Sequence, residues 1–246
     1  MSAEHKHSPL DQFLIEPIVQ LDLFGFDISL TNSSLTMIGV TFAIILMLSF
    51  VRAGVEGVPS RMHIFCESIY SFISKMVEEN LGQEGKSFVP LILCLFLFIS
   101  FANLCGLIPY SFTVTSHIAT TIVPAMIVFC TLIVIGFRHQ GVGFLKLFAP
   151  SGMPAWLTPL IVVIEIFTFF ARPISLSLRL AANMVAGHVL LKVLAGFVIT
   201  MPIYFKFVPL PLIVIFIGFE VFVAILQAYI FAILSCVYLS DGIKGH

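Results

Sequence analysis

The hydrophobic pattern divides the chain into five long apolar segments separated by shorter polar stretches. Each apolar segment reaches about the 20 residues that a helix needs to cross the hydrocarbon core of a bilayer. The pattern therefore predicts five membrane-crossing helices, at residues 31–50, 88–109, 118–137, 156–200 and 213–239.

Residues 59–81 follow a different pattern, in which apolar residues recur at helical spacing between charged ones. The apolar positions are Met62, Phe65, Ile69, Phe72, Ile73 and Met76. A proline near the start and this alternation are typical of an amphipathic helix that lies in the membrane interface. We predict an interfacial helix here and not a further span.

The fourth apolar segment, residues 156–200, is too long for an upright helix. At 1.5 Å per residue it would measure ~66 Å, about twice a hydrocarbon core of ~30 Å. It is either two spans joined by a hidden hairpin or one steeply tilted helix. Pro159 and Pro173 permit bends, but no polar turn divides the segment. We favour a long tilted helix that runs antiparallel to the last helix.

Composition fixes the class of protein. Of the 246 residues, 59% are hydrophobic and 10% are charged, and the mean hydropathy is +1.11. A soluble domain is about 45–50% apolar and about 25% charged, so this chain has too little polar surface for a soluble globule. The expected fold class is an all-α polytopic membrane protein, with residues 1–246 forming a single membrane domain.

Charge and cysteine content exclude other classes. The net charge of −1 gives no indication of a nucleic-acid partner. The five cysteines are scattered without CxxC spacing, so we interpret them as small residues within helices and expect neither disulfides nor a metal site. The N-terminus has no basic region followed by an apolar run, so we expect no cleavable secretory signal.

The distribution of lysine and arginine predicts the orientation, because cytoplasmic loops of membrane proteins carry an excess of both. With residues 1–30 outside and the C-terminus inside, the outer segments hold Lys6 and Lys206. The inner segments then hold Arg52, Arg61, Lys75, Lys86, Arg138, Lys146 and Lys244.

The fourth apolar segment carries polar residues that are costly at membrane depth. At about 100° per residue, Arg172, Arg179 and Asn183 fall in one narrow stripe with Glu165 beside it. His188 lies nine positions after Arg179, on roughly the opposite face. Charges inside a membrane cost several kcal/mol and are retained for function, and arginine cannot shed its proton. A fixed cation and a titratable imidazole on one helix indicate a proton path.

The last segment adds two polar residues on one face, Glu220 and Gln227, seven positions apart. In an antiparallel pair of helices, Glu220 can share a level with His188 nearer the outside. Gln227 can then share a level with Arg179 nearer mid-membrane.

Structural interpretations of the same residues remain open. Glu165 and Arg172 are seven apart and could form an interfacial pair that fixes the tilt of the helix. Lys192 could extend its amine to the interface. His188 could serve as an interhelical hydrogen-bonding residue. Arg179 with Asn183 could be a structural bridge, although burying an arginine makes this the least favoured interpretation.

The sequence motifs resemble those of a known family, subunit a of the F-type ATP synthase, over essentially the whole chain. The similar stretches are SPLDQF near the start, NLCGLIPYSFTVTSH at 103–117, RPISLSLRLAANMVAGH at 172–188 and EVFVAILQAYIF at 220–231. Many members have Phe-Gly or Phe-Ala where this chain has Ala181-Ala182, which leaves the arginine register intact. The pairing of His188 with Glu220 resembles the mitochondrial and alphaproteobacterial type.

The resemblance implies a proton-translocating stator subunit without catalytic activity or cofactors of its own. By that resemblance, Arg179 faces a rotating ring of c subunits, each with one membrane-buried carboxylate. His188 and Glu220 would line the half-channel that opens outside, Asn183 and Gln227 would supply hydrogen bonds near the arginine, and Glu165 and Arg172 match positions near the inner exit. Expected partners are the c ring, the peripheral-stalk b subunits and other membrane-sector subunits, in a mitochondrial inner or alphaproteobacterial plasma membrane.

Three other functions are weighed against this one. Sodium coupling is disfavoured because the histidine–glutamate pair suits protons. An autonomous proton-coupled transporter would have a substrate site at broken half-helices and often an inverted repeat, and neither is visible. In a structural subunit of a redox complex, Arg179 would only anchor a neighbour.

Overall fold

The computed structural model describes residues 17–19, 22–23, 26–27, 29–53, 61–108, 114–141, 143–144, 157–202, 204, 207 and 209–244. The described part contains six α-helices: α1 Asn32–Ala53, α2 Arg61–Leu81, α3 Val89–Gly106, α4 Ile118–Gln140, α5 Thr158–Thr200 and α6 Pro209–Lys244. Short 3₁₀ helices at Gln83–Phe88 and Val114–Ser116 precede α3 and α4. All the α-helices except α2 are long and apolar enough to cross a membrane, which confirms the predicted all-α polytopic fold class.

A small β-structure precedes α1, and the hydrophobic pattern did not predict it. It consists of β1 Pro17–Val19, β2 Asp22–Leu23, β3 Phe26–Asp27 and β4 Leu30–Thr31. β1 pairs antiparallel with β4, and β2 pairs antiparallel with β3. Residues 1–16 of the outer N-terminal segment and residues 145–156, most of the connection between the third and fourth apolar segments, lie outside the described residues.

The last helix differs most from its predicted bounds of 213–239. It begins at Pro209 and ends at Lys244. Pro209 and Pro211 indicate a turn in the sequence, yet both lie in the first turn of α6. The first four N–H groups of a helix have no intrahelical partner, so proline costs little there. The helix also continues past Asp241 and Gly242, which the prediction left in the tail.

The long helix α5 is continuous from Thr158 to Thr200, with Pro173 inside it. Its 43 residues correspond to ~64 Å, so the interpretation as two spans with a hidden hairpin is excluded. Because a hydrocarbon core is ~30 Å thick, a helix of this length must tilt steeply or extend well beyond the core.

The centre of the bundle is α6, which packs against α2, α3, α4 and α5. A stripe of small residues at four-residue spacing is fully buried along it: Ala224, Ala228, Ala232 and Cys236. In membranes, small residues let helix backbones approach closely, and van der Waals packing then holds the helices together. The close approach of α6 to its neighbours therefore depends on these short side chains. The helix α1 lies at the edge of the bundle against α2 and α3.

Buried hydrogen bonds fix the heights of the helices relative to one another. Asn103 of α3 is fully buried and its Nδ2 donates to the Ala224 carbonyl of α6 at 3.2 Å. The hydroxyl groups of Thr121 in α4 and Ser177 in α5 lie 2.8 Å apart in the interior. A buried polar group is costly without its partner, so each bond favours one axial offset between its helices.

Enlarging the small-residue stripe should destabilise the fold. We expect Ala228→Leu to lower the stability by about 1–3 kcal/mol, the usual cost of overpacking a filled interior. The measurement is the thermal unfolding midpoint of the full chain in detergent micelles. Ala195→Leu is the matched control, because Ala195 is exposed on α5. Equal midpoints for the two variants would contradict the packing described for α6.

Candidate functional site

Arg179 lies on the exposed face of α5. Leu178 and Ala182 beside it are also exposed, whereas Leu180 and Met184 point into the bundle and are buried. Among the residues that the structure describes, Arg179 has no ion pair and no side-chain hydrogen bond. A permanently charged guanidinium therefore lies on an apolar surface without a counter-charge from the described part of its own chain, and a group outside this part is needed to neutralise it.

The carboxyl group of Glu220 packs directly against the backbone of α5. A methyl group added at Gly187 would collide with Glu220 Oε1. Glu220 Oε2 is buried and has no hydrogen-bond partner in the described part of the chain. The absence of a side chain at Gly187 thus brings the carboxyl group of α6 to the turn of α5 that also carries His188.

A cavity of about 190 Å³ lies between α5 and α6. Its polar side chains are Asn183 and Glu220, and its other lining residues are Met184, Ala186, Gly187, Leu190, Leu191, Phe216, Phe219 and Val223. One water molecule needs ~10–15 Å³ on this kind of measure, so the cavity has room for several. It can therefore hydrate the Glu220 carboxyl group within an otherwise apolar interface.

Two contacts set the antiparallel register of α5 and α6. Glu220 meets Gly187 at one end, and Asp241 meets Arg172 at the other. Gln227 falls between these contacts on α6, as Arg179 falls between them on α5. The Gln227 side chain is buried, and its Nε2 has no hydrogen-bond partner among the described residues. Its amide is therefore available to a group or a water molecule that enters the interface.

His188 and Lys192 are half-buried on successive turns of α5, near the end at which Glu220 packs. His188 directly follows Gly187 in the chain and is not among the residues that line the cavity. The cavity thus brings together two of the predicted site residues, Asn183 and Glu220, while His188 is the chain neighbour of Gly187, against which Glu220 packs.

Arg172 and Glu165 are separate from this cavity. Arg172 Nη1 donates to Asp241 Oδ2 at 2.7 Å, and its guanidinium lies 5.1 Å from the centre of the Tyr238 ring. The pair that the sequence allowed between Arg172 and Glu165 is not formed, because Arg172 points to α6. Glu165 is half-buried without an ion pair in the described part of the chain.

Asp241 is the residue of this region that sequence reasoning missed. The predicted end of the last helix at residue 239 placed Asp241 in the tail. Two features of the sequence could have indicated this residue. Asp241 directly follows a long apolar run, and Arg172 had no settled acidic partner. Only the continuation of α6 to Lys244 brings the two side chains together.

The described residues can also be searched for metal ligands and for reactive thiols. Within the described ranges no group of three or more His, Cys, Asp and Glu residues is close enough to hold a metal ion. All five cysteines are free thiols. On helix α2, burial raises the pKa of the Cys66 thiol, which disfavours the thiolate that metal binding or nucleophilic attack requires.

One comparison with known proteins bears on this arrangement. A family model described as ATP synthase A chain matches residues 34–240. The match covers most of the chain, and it includes α5, α6 as far as Ser240 and every predicted site residue.

Gly187 should be needed for the packing of Glu220. We expect Gly187→Ala to give a lower thermal unfolding midpoint of the full chain in detergent than its control, because the new methyl group displaces the carboxyl group and this cost offsets the gain in helix propensity. The matched control is Gly196→Ala on the same helix, where an added Cβ meets nothing within 4 Å. That control should be neutral or stabilising, since alanine favours a helix over glycine by about 1 kcal/mol. An equal effect at the two positions would show that Glu220 does not pack on Gly187.

Proposed function

Because the chain belongs to the ATP synthase A chain family, whose members are the proton-translocating and non-catalytic subunit of the membrane sector, we propose that Arg179 is its fixed stator cation. In this proposal the guanidinium faces a rotating ring of c subunits and meets one membrane-buried carboxylate at a time. The observation that supports it is the exposed, uncompensated position of Arg179 on an otherwise apolar face of α5. A passing carboxylate is the counter-charge that this position lacks.

The charge of Arg179 performs two tasks in the mechanism. It attracts a carboxylate in a medium of low dielectric constant and lowers its pKa, so an arriving ring site must release its proton. The same charge repels free protons, which prevents a continuous proton path past the arginine. Two half-channels that end on either side of Arg179 are thus connected only through rotation of the ring.

The half-channel from the outside runs, in this proposal, along the interface of α5 and α6. Glu220 and His188 are its titratable groups. The cavity between the helices supplies space for water beside Glu220 and Asn183. Gln227 continues the polar route towards Arg179 through its unpartnered amide. Protons would move from Glu220 to the ring carboxylate by way of these groups and their water molecules.

The opposite end of α5 is assigned to the inner half-channel. Glu165 is half-buried there and is the proposed polar residue nearest to the exit. Arg172 is held by Asp241 at 2.7 Å, so its charge is already compensated. We therefore assign Arg172 no direct part in carrying the proton.

The chain is a multi-pass protein of an energy-coupling membrane. We propose residues 1–246 as a single membrane domain with its N-terminus outside and its C-terminus inside. The proposed partners are the c ring, the peripheral-stalk b subunits and other membrane-sector subunits, in a mitochondrial inner or alphaproteobacterial plasma membrane. Each proton that crosses releases ~2.3 kcal/mol per 100 mV, and the turning ring carries this energy to the nucleotide-binding head.

Removing the fixed charge should abolish coupling. In sealed inverted vesicles with the assembled complex, we expect Arg179→Ala to lose ATP-driven acidification and to leak protons under an imposed potential, because the barrier between the half-channels is gone. Arg179→Lys should also fail or nearly fail, since a lysine can lose its proton when buried and lacks the planar guanidinium. Arg138→Ala, at an exposed arginine on α4, is the control and should pump normally. Normal pumping by an assembled Arg179→Ala complex would refute the mechanism.

Removing the titratable group of the outer half-channel should give a different phenotype. We expect Glu220→Gln to slow ATP-driven acidification by about a hundredfold, the low end of what a positioned acid–base group contributes. Passive leak should stay low, because Arg179 remains in place. Glu67→Gln is the control, since the Glu67 side chain is 70% exposed on α2. Unchanged pumping in Glu220→Gln would remove this residue from the proton path.

A further inference from the structure

The stripe of α5 that carries Arg179 holds a second permanent cation. Arg172 lies seven residues away, two turns along the same face, which is ~10 Å along the axis. A ring carboxylate that approaches Arg179 would also be attracted by Arg172 if the second charge were uncompensated. A stator that depends on one fixed cation therefore needs the other to be neutralised.

Asp241 supplies this neutralisation from α6. Its Oδ2 accepts a hydrogen bond from Arg172 Nη1 at 2.7 Å, and the two side chains are 18% and 23% exposed. The ring of Tyr238, one turn earlier on α6, lies 5.1 Å from the same guanidinium. Arg172 is thus held by an anion and an aromatic face, whereas the structure gives Arg179 neither.

Asp241 is itself held in place by contacts of its neighbours with two other helices. Ser240 Oγ donates to the Asn80 carbonyl of α2 at 3.1 Å. Gln140 Nε2 of α4 donates to the Gly242 carbonyl at 2.9 Å. A Cβ at Gly242 would come within 2.9 Å of Leu132 Cδ1, so only glycine fits this approach without displacing the leucine. These contacts hold the end of α6 against α2 and α4, and the carboxylate of Asp241 is presented from this packed end.

The surroundings of the pair are apolar. Next to Arg172 lies a narrow gap lined by α4 side chains, which include Val128, Phe129 and Leu132, and by Leu176 of α5. The charged residues at the end of α4, Arg138 and His139, are exposed. Screening in such an environment is weak, so an unpaired charge at Arg172 would act over the distance to Arg179.

We infer that Asp241 is a positioning residue for proton transfer: it neutralises Arg172, so that Arg179 is the uncompensated cation of this stripe that a ring carboxylate meets. The inference rests on the proposed function. Without Asp241, Arg172 would also stabilise the ionised ring carboxylate and delay its next protonation. Removing both charges would leave Arg179 alone again and restore turnover.

The experiment compares Asp241→Asn, Asp241→Glu and the double variant Arg172→Gln/Asp241→Asn in inverted vesicles, with Arg179 intact throughout. ATP-driven acidification is measured per assembled complex, together with passive proton leak. We expect Asp241→Asn to lower pumping about tenfold, which corresponds to a rise of about 1.4 kcal/mol in the free-energy barrier to protonation of the ring carboxylate. Asp241→Glu keeps the charge and should retain most activity. The double variant should recover to within about twofold of the unmodified complex, as neutralising both partners is far less costly than leaving one charge unpaired.

A double variant that pumps as poorly as Asp241→Asn would overturn the inference, because Asp241 would then carry protons itself. If Asp241→Asn fails to assemble, the double variant still decides: normal pumping supports the inference, and assembly without pumping overturns it. These outcomes differ from a failure of the proposed function. That failure would appear as normal pumping in Arg179→Ala, whatever the state of Asp241.

Discussion

The structure is organised around the electrostatic cost of a permanent charge in a medium of low dielectric constant. Arg179 cannot lose its proton, and it lies on the exposed apolar face of α5 without a counter-charge in the described part of its own chain. Such a position is tolerable only if a partner supplies the anion. In the function that we propose, that requirement becomes the mechanism, because an anion that moves past can be held only in its ionised form. The rest of the bundle keeps the guanidinium at this position.

Close packing around α6 provides the necessary rigidity. The lipid gives no hydrophobic driving force between helices, so short side chains and buried hydrogen bonds must hold them together. The buried stripe from Ala224 to Cys236 brings the neighbouring backbones close. The bonds from Asn103 to Ala224 and between Thr121 and Ser177 favour one offset for each pair of helices. Because α5 is ~64 Å long, a small change of register at one end would move Arg179 relative to any partner.

The same interface separates the polar groups by function. At one end, Gly187 admits the Glu220 carboxyl group next to a cavity that can hold water. At the other end, Asp241 and Tyr238 surround Arg172 in a narrow apolar environment. A carboxyl group with space for water beside it can exchange protons, whereas a paired guanidinium, which keeps its proton, cannot contribute to exchange. One pair of antiparallel helices therefore carries a titratable end and an electrically compensated end, with Arg179 between them.

The sequence alone determined the features that depend on local pattern. Hydrophobic runs long enough for a bilayer predicted the five spans, helical spacing predicted the interfacial helix α2, and the 100° periodicity of α5 placed Arg172, Arg179 and Asn183 on one stripe. The sequence alone could not determine the contact between Arg172 and Asp241, two residues that are 69 positions apart in the chain. Nor could it determine the packing of Glu220 on Gly187. These contacts depend on the axial offset between α5 and α6, which side-chain packing decides and which no local period encodes.

The extension of α6 through two prolines and past Asp241 was missed for a related reason. Prolines in a first helical turn and prolines in a loop look alike in sequence, and only the packed helix distinguishes them.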